Sequence, residues 1–95
     1  MTSPEASTGG RERIAVNWST DARAHLRAID RETAMQILYC LDRYLASRAG
    51  DVKKLKPPRT GFRLRCGDYR LFFDFHDTAG AIDVTGVYHR REAYR

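Results

Sequence analysis

The residues best suited to chemistry in this 95-residue chain are cations on neighbouring predicted strands. Arg63 and Arg65 stand two residues apart, so in an extended segment both project from one face, about 7 Å apart. Arg70 follows the short reversal Cys66-Gly67-Asp68, and antiparallel pairing across that turn returns it to the same region. Arg90 follows a third extended segment, with His89 beside it and Tyr94 four residues further on. Guanidiniums that converge on one surface repel each other, and a bound anion relieves that cost. Phosphate suits them best, because the planar Arg fork matches two of its oxygens.

Such an array also permits RNA cleavage without a metal ion. The 2′-hydroxyl attacks the neighbouring phosphorus, and negative charge builds on the equatorial oxygens and the departing 5′-oxygen. Arginines already in place stabilise that charge, while a Tyr or His moves protons or stacks on a base. Other motifs are missing. There is no Gly-rich phosphate loop, no zinc-type ligand spacing and no serine hydrolase elbow, so neither a metal nor a cofactor is expected. Asp74, Asp77 and Asp83 fall near turns or on strands without a defined partner and read as solvated or salt-bridged carboxylates. Cys40 and Cys66 form no Cys-x-x-Cys pair and read as two partly buried thiols.

The elements that must hold these groups follow from periodicity. Residues 1–11 are rich in Ser, Thr, Gly and Ala and predict a flexible leader with no apolar centre of the secretory kind. Residues 12–95 predict a single domain, since so short a chain can bury only one core. Ile14, Val16 and Trp18 alternate as a strand does. Ser19-Thr20-Asp21 caps a short helix to about residue 28, and Asp30 caps a second. In that second helix Ala34, Ile37, Leu38, Leu41, Tyr44 and Leu45 form one stripe, and Gly50 is placed to end it in a left-handed conformation.

Residues 51–60, with Lys53, Lys54, Lys56, Pro57, Pro58 and Arg59, predict a loop. Period-two patterns then run through Phe62–Cys66, Tyr69–Phe75 and Ala81–Tyr88, with turns at Gly67-Asp68 and at residues 77–80. The predicted fold is α+β: two helices packed on a small, mainly antiparallel four-stranded sheet, in the order β-α-α-β-β-β.

Composition narrows the function classes. The chain is 42% apolar and 31% charged, which excludes a disordered or fibrous protein. No apolar run reaches the ~20 residues of a membrane span, so a soluble, cytoplasmic protein is expected. Residues 1–52 balance seven Arg with seven acids, whereas residues 53–95 set three Lys and seven Arg against five acids. The whole +5 net charge therefore lies in the second half, which points to a polyanion or an acidic protein partner.

Leu55-Lys56, Phe62-Arg63-Leu64-Arg65, Gly67-Asp68-Tyr69-Arg70 and the tail His89-Arg90-Arg91-Glu92-Ala93-Tyr94-Arg95, in this order, resemble the RelE/ParE toxin superfamily of bacterial type II toxin–antitoxin pairs. The resemblance covers about residues 12–95 and implies a RelE-like fold. It implies, for a RelE-type member, a metal-independent endoribonuclease that cuts messenger RNA in the ribosomal A site and is neutralised by a cognate antitoxin in a hetero-oligomer. By position it makes Arg63 and Arg65 the strand cations that grip the phosphate and assist proton transfer. Arg70 matches the Arg that stabilises the transition state, Arg90 the Arg at the end of the last strand, Tyr94 the C-terminal Tyr that orients or activates the nucleophile, and His89 a terminal His that some relatives use as acid or base. Lys53, Lys54, Lys56, Arg59, Arg91 and Arg95 complete the expected RNA-binding set. An Arg at position 63 is a poor base, so the proton acceptor falls to His89 or Tyr94. The alternative implied by the same superfamily is a ParE-type poison of DNA gyrase, which cleaves no RNA.

Overall fold

The computed structural model describes residues 14–75 and 80–93. The expected leader, most of the turn at 77–80, and the pair Tyr94 and Arg95 lie outside the described residues. Strand β1 (Ala15–Trp18) leads into helix α1 (Thr20–Arg27), then helix α2 (Arg31–Ser47). Four strands follow: β2 (Asp51–Lys54), β3 (Phe62–Cys66), β4 (Tyr69–Phe75) and β5 (Ala81–His89).

Helix starts follow the capping chemistry. The Ser19 hydroxyl accepts the Ala22 N–H at 3.0 Å, and the Asp30 carboxylate accepts the Thr33 N–H at 3.1 Å. The Thr33 side chain, and after it this N–H, favour the charged carboxylate by hydrogen bonding and hold Asp30 below the ordinary value of 3.8. The C-terminus of α2 departs from expectation. Arg48, not Gly50, takes the left-handed conformation at φ 62°, and its N–H closes on the Tyr44 carbonyl at 2.7 Å. The Arg48 guanidinium lies 5.5 Å from the centre of the Tyr44 ring, a contact that favours this cap.

The sheet corrects the expected architecture. It has five strands in the order β1-β5-β4-β3-β2, and it is mixed, because β1 runs parallel to β5 while the other pairs are antiparallel. The additional strand is β2, cut from the segment expected to be a loop. Asp-Val-Lys-Lys carries no apolar alternation, since it is an edge strand with one half-buried residue, Val52. Its order comes from pairing with β3, Asp51 opposite Arg65 and Lys53 opposite Arg63. The adjacent prolines do break regular structure, but only after Lys54.

The core lies between α2 and one sheet face. Ile37, Leu41 and Tyr44 meet Leu64, Leu71, Phe73, Ile82, Val84 and Val87, with Ala22 of α1 joining them. Tyr44 and Phe62 both contact the Phe73 ring, at centroid distances of 5.8 and 5.7 Å. Past the end of β1, α1 lies along the exposed edge of β5. There the Ser19 N–H donates to the Val84 carbonyl, and the Val87 N–H donates to His25 Nδ1 at 3.2 Å. No helix among the described residues is long and apolar enough to cross a membrane.

Candidate functional site

The face away from α2 carries the arginines, and strand register sets their places. One row across the sheet reads Asp51, Arg65, Arg70, Tyr88, and the next reads Lys53, Arg63, Phe72, Gly86. Arg65 and Arg70 are direct cross-strand partners, so two like charges leave the backbone about 5 Å apart. The two-residue reversal Gly67-Asp68 makes that pairing possible.

The three guanidiniums differ in environment. Arg70 is 8% exposed, and its Nη1 donates to the carbonyls of Gly67 at 2.9 Å and Tyr69 at 3.1 Å. Its Nε is buried with no hydrogen-bond partner among the described residues. Arg63 is 7% exposed. Arg65 remains in solvent with a long, 3.9 Å contact to Asp51, the two side chains being 57% and 46% exposed. Such a pair is worth about 0–1 kcal/mol and leaves the guanidinium available to a stronger anion.

The C-terminal turn returns to this corner. The Arg90 N–H donates to the Asp68 carbonyl at 2.7 Å, and Arg90 Nε lies 3.9 Å from the Asp68 carboxylate. Glu92 and Ala93 N–H groups both donate to the His89 carbonyl, closing a turn that buries Ala93. Arg59 reaches in from the proline loop. Its guanidinium lies 4.8 Å from the centre of the Phe72 ring, and its Nη1 donates to the Ala93 carbonyl at 3.2 Å. Lys53, Lys54, Lys56 and Arg91 are exposed, Lys53 on the arginine face and Lys54 opposite Phe62 on the other.

His89 is not on the arginine face. It pairs with Tyr69 on the helix side, where the two rings meet edge-on at 5.3 Å, and its Nδ1 accepts the Arg91 N–H. The cause is a bulge. Phe72 pairs with Gly86 and Phe73 with Val84, so Thr85 is an extra residue on β5. One extra residue exchanges the two faces for the rest of a strand. Val87 and His89 therefore join the core side, and Gly86 and Tyr88 turn to the arginines.

Tyr88 is the residue that sequence reasoning missed. Its ring meets Phe72 edge-on at 5.6 Å and His25 at 4.7 Å. A Cβ on Gly86 would come within 2.6 Å of that ring, so only glycine leaves the ring its place over the strand. The Thr-Gly pair at 85–86 was the available signal, since an interior strand glycine commonly marks a bulge or a close approach.

On the helix side, a cleft of about 640 Å³ opens between α2 and the β3–β4 turn. Cys40 and Cys66 line it with Tyr69 and His89. Burial, reinforced by the neighbouring Cys40 thiol, pushes the Cys66 thiol far above its ordinary value, the reverse of what a reactive cysteine needs. Among the described residues, no cluster of three or more His, Cys, Asp or Glu could hold a metal ion.

Residues 16–94 match the family described as the ParE toxin of the type II toxin–antitoxin system parDE. No curated protein matches the chain by sequence. Among solved structures, the RelBE2 toxin–antitoxin complex from Mycobacterium tuberculosis includes a chain 26% identical to this one. The match covers 82% of this chain and 99% of that one, with a TM-score of 0.66. The archaeal RelE–RelB complex from Pyrococcus horikoshii matches with 20% identity over 84% and 98% of the two chains, TM-score 0.66. A YoeB/ParE toxin from Agrobacterium tumefaciens matches with 12% identity over 80% and 98%, again at 0.66. At 20% and 12% identity the last two likenesses bear on the fold alone.

Proposed function

The chain belongs to the ParE toxin family of type II toxin–antitoxin systems, within the RelE/ParE superfamily, and from that premise we propose that it is a ribosome-dependent endoribonuclease that cuts messenger RNA in the A site. The observation that carries this reading is Arg70. A guanidinium buried in the middle of a sheet face normally has its donors satisfied, because an unmet buried donor costs about 1–3 kcal/mol. Here Nη1 is occupied by two backbone carbonyls and Nε has no partner among the described residues. The backbone bonds hold the plane of the group, and a phosphate oxygen meets the unmet Nε donor once the side chains that cover it move aside.

In the proposed reaction the RNA 2′-oxygen bonds to phosphorus as the 5′-oxygen departs. Arg70 stabilises the charge on the equatorial oxygens, with Arg63 in the neighbouring row and Arg65 directly opposite. Arg90, beside the β3–β4 turn, and exposed Lys53 extend the cationic track for RNA. Lys54, Lys56, Arg91 and Arg95 supply longer-range attraction. Tyr94 is the proposed residue at the nucleophile; Tyr88, on the arginine face, is better placed than His89 to meet a base or relay a proton. This chemistry asks for no metal ion or cofactor. Residues 12–95 act as one toxin domain in the cytoplasm, where the ribosomes are.

The M. tuberculosis and P. horikoshii relatives were solved as complexes with RelB-type partners. We infer a cognate antitoxin for this chain: a small acidic protein, largely disordered alone, that covers the cationic half with an amphipathic helix and carboxylates.

The test is a reconstituted translation reaction. Wild-type protein should truncate messages at A-site codons, and Arg70→Ala should slow cutting about 10²–10³-fold, the usual loss of one transition-state donor. Intact messages at concentrations that saturate ribosomes would overturn the assignment. The family's own description favours a second reading, inhibition of DNA gyrase, so supercoiling by gyrase is assayed alongside. Inhibition there with messages intact selects that reading.

A further inference from the structure

We propose that Arg59 is a positioning residue, a clamp that holds the C-terminal turn against the arginine face, and not one of the cations that bind RNA. The proposal rests on the nuclease reading above for its kinetic consequence, but not for the clamp itself. Charge and position alone put Arg59 with Lys53, Lys54 and Lys56. The geometry separates it from them.

Two contacts from unrelated parts of the chain meet at its guanidinium. Its Cζ lies over the Phe72 ring at 4.8 Å, and Nη1 donates to the Ala93 carbonyl at 3.2 Å, 34 residues away in sequence. Phe72 is itself buried on the arginine face, with the Tyr88 ring edge-on against it. Arg59 is thus seated on a packed ring of the sheet and ties the C-terminal turn to it. Among the described residues the turn it holds has few other backbone or side-chain hydrogen bonds to the rest of the fold. Arg91, Glu92 and Ala93 bond back to His89, within the turn, and Arg90 bonds to Asp68, at the opposite end of the turn from Ala93. Ala93, 3% exposed, is buried at the point where Arg59 grips it.

The consequence is orientation. Ala93 immediately precedes Tyr94 in the chain, so the clamp acts one residue before the tyrosine proposed at the nucleophile. Catalytic groups held in productive geometry gain rate, and a displacement of 1 Å costs up to about 10²-fold. Lysine can make one contact or the other, but its single nitrogen lacks the fork by which the guanidinium sits over the ring and reaches the Ala93 carbonyl at the same time.

Arg59→Lys and Arg59→Ala in the full chain separate a clamp from a phosphate contact. With a clamp, both variants exchange the Ala93 and Glu92 amide hydrogens faster than wild type, because the turn opens more often. Both also lower the single-turnover cleavage rate about tenfold or more, with KM for ribosome-bound message within about twofold. With a phosphate contact, Arg59→Lys cleaves like wild type, Arg59→Ala raises KM and flattens the salt dependence, and exchange at Ala93 is unaltered. That pattern would overturn the proposal. If wild-type protein cuts nothing, the nuclease reading falls, and amide exchange alone then decides the clamp: faster exchange in both variants sustains it, unchanged exchange ends it.

Discussion

Arg70 and Cys66 sit four residues apart on adjacent strands of one hairpin, on opposite faces of the sheet, and the two faces treat their charges in opposite ways. Arg70 keeps its charge under cover because two carbonyls hold one edge of the fork. Arg70→Lys retains the charge and loses the fork. It should cut RNA about 10²-fold more slowly, and urea unfolding should show a loss of about 1–3 kcal/mol as the Gly67 and Tyr69 carbonyls lose their donor. Equal activity in the two proteins would remove Arg70 from the chemistry. Cys66 gives a pH prediction with a definite sign. Burial raises its folded-state value above the ordinary 9.0, so below pH 9.0 the thiol is neutral whether the chain is folded or not. Above it, the unfolded chain releases a proton that the folded chain keeps, and stability falls as pH rises. Unfolding curves from pH 8 to 10.5 should therefore fall less steeply in Cys66→Ala than in wild type.

Element-scale behaviour turns on how the proline loop enters β3. Gly61 has φ +95°, and a Cβ there would lie 2.8 Å from the Phe73 carbonyl and 2.6 Å from the Asp74 carboxylate. The Gly61 carbonyl also accepts the Leu55 N–H, which closes the loop that presents Arg59. Gly61→Ala combines backbone strain with a clash against a strand, so we expect a loss of about 2 kcal/mol, a Tm fall of roughly 8–16 °C for a domain of this size. Thermal unfolding followed by circular dichroism checks it, and a Tm within 2 °C of wild type would contradict it. The bulge at Thr85 acts over more of the molecule than any single contact. It keeps Ile82, Val84 and Val87 in one core despite their uneven spacing, and it turns Tyr88 rather than His89 toward Arg70.

At the scale of the whole molecule, charge separates by sequence half, and the second half builds the end of β2, then β3, β4, β5 and the C-terminal turn. Exposed Lys53, Arg65 and Arg90 are the cations nearest the proposed RNA track. If these neutralise phosphates, log affinity for single-stranded RNA should fall with log salt at a slope near −2. A filter-binding series between 50 and 300 mM KCl measures it, and a flat line would argue for a protein target. The acidic antitoxin inferred above should compete for the same surface and lose affinity over the same salt range.

Much of this was legible in the residues alone: both helix caps, the apolar stripe of α2, the β3–β4 hairpin with Arg63, Arg65 and Arg70 on one face, and the cationic second half. These are local properties, set by side-chain period, capping chemistry and turn residues within a few positions of each other. Tertiary structure decided the rest. Asp51–Lys54 became a fifth strand because β3 offered an edge, and β1 found a parallel partner more than 60 residues away. A single extra residue at Thr85 reversed His89 and Tyr88, and Arg59 met an aromatic ring and a carbonyl from two distant segments. Periodicity reports how a segment alternates; which neighbour it pairs with, and in what register, depends on contacts between residues far apart in the chain.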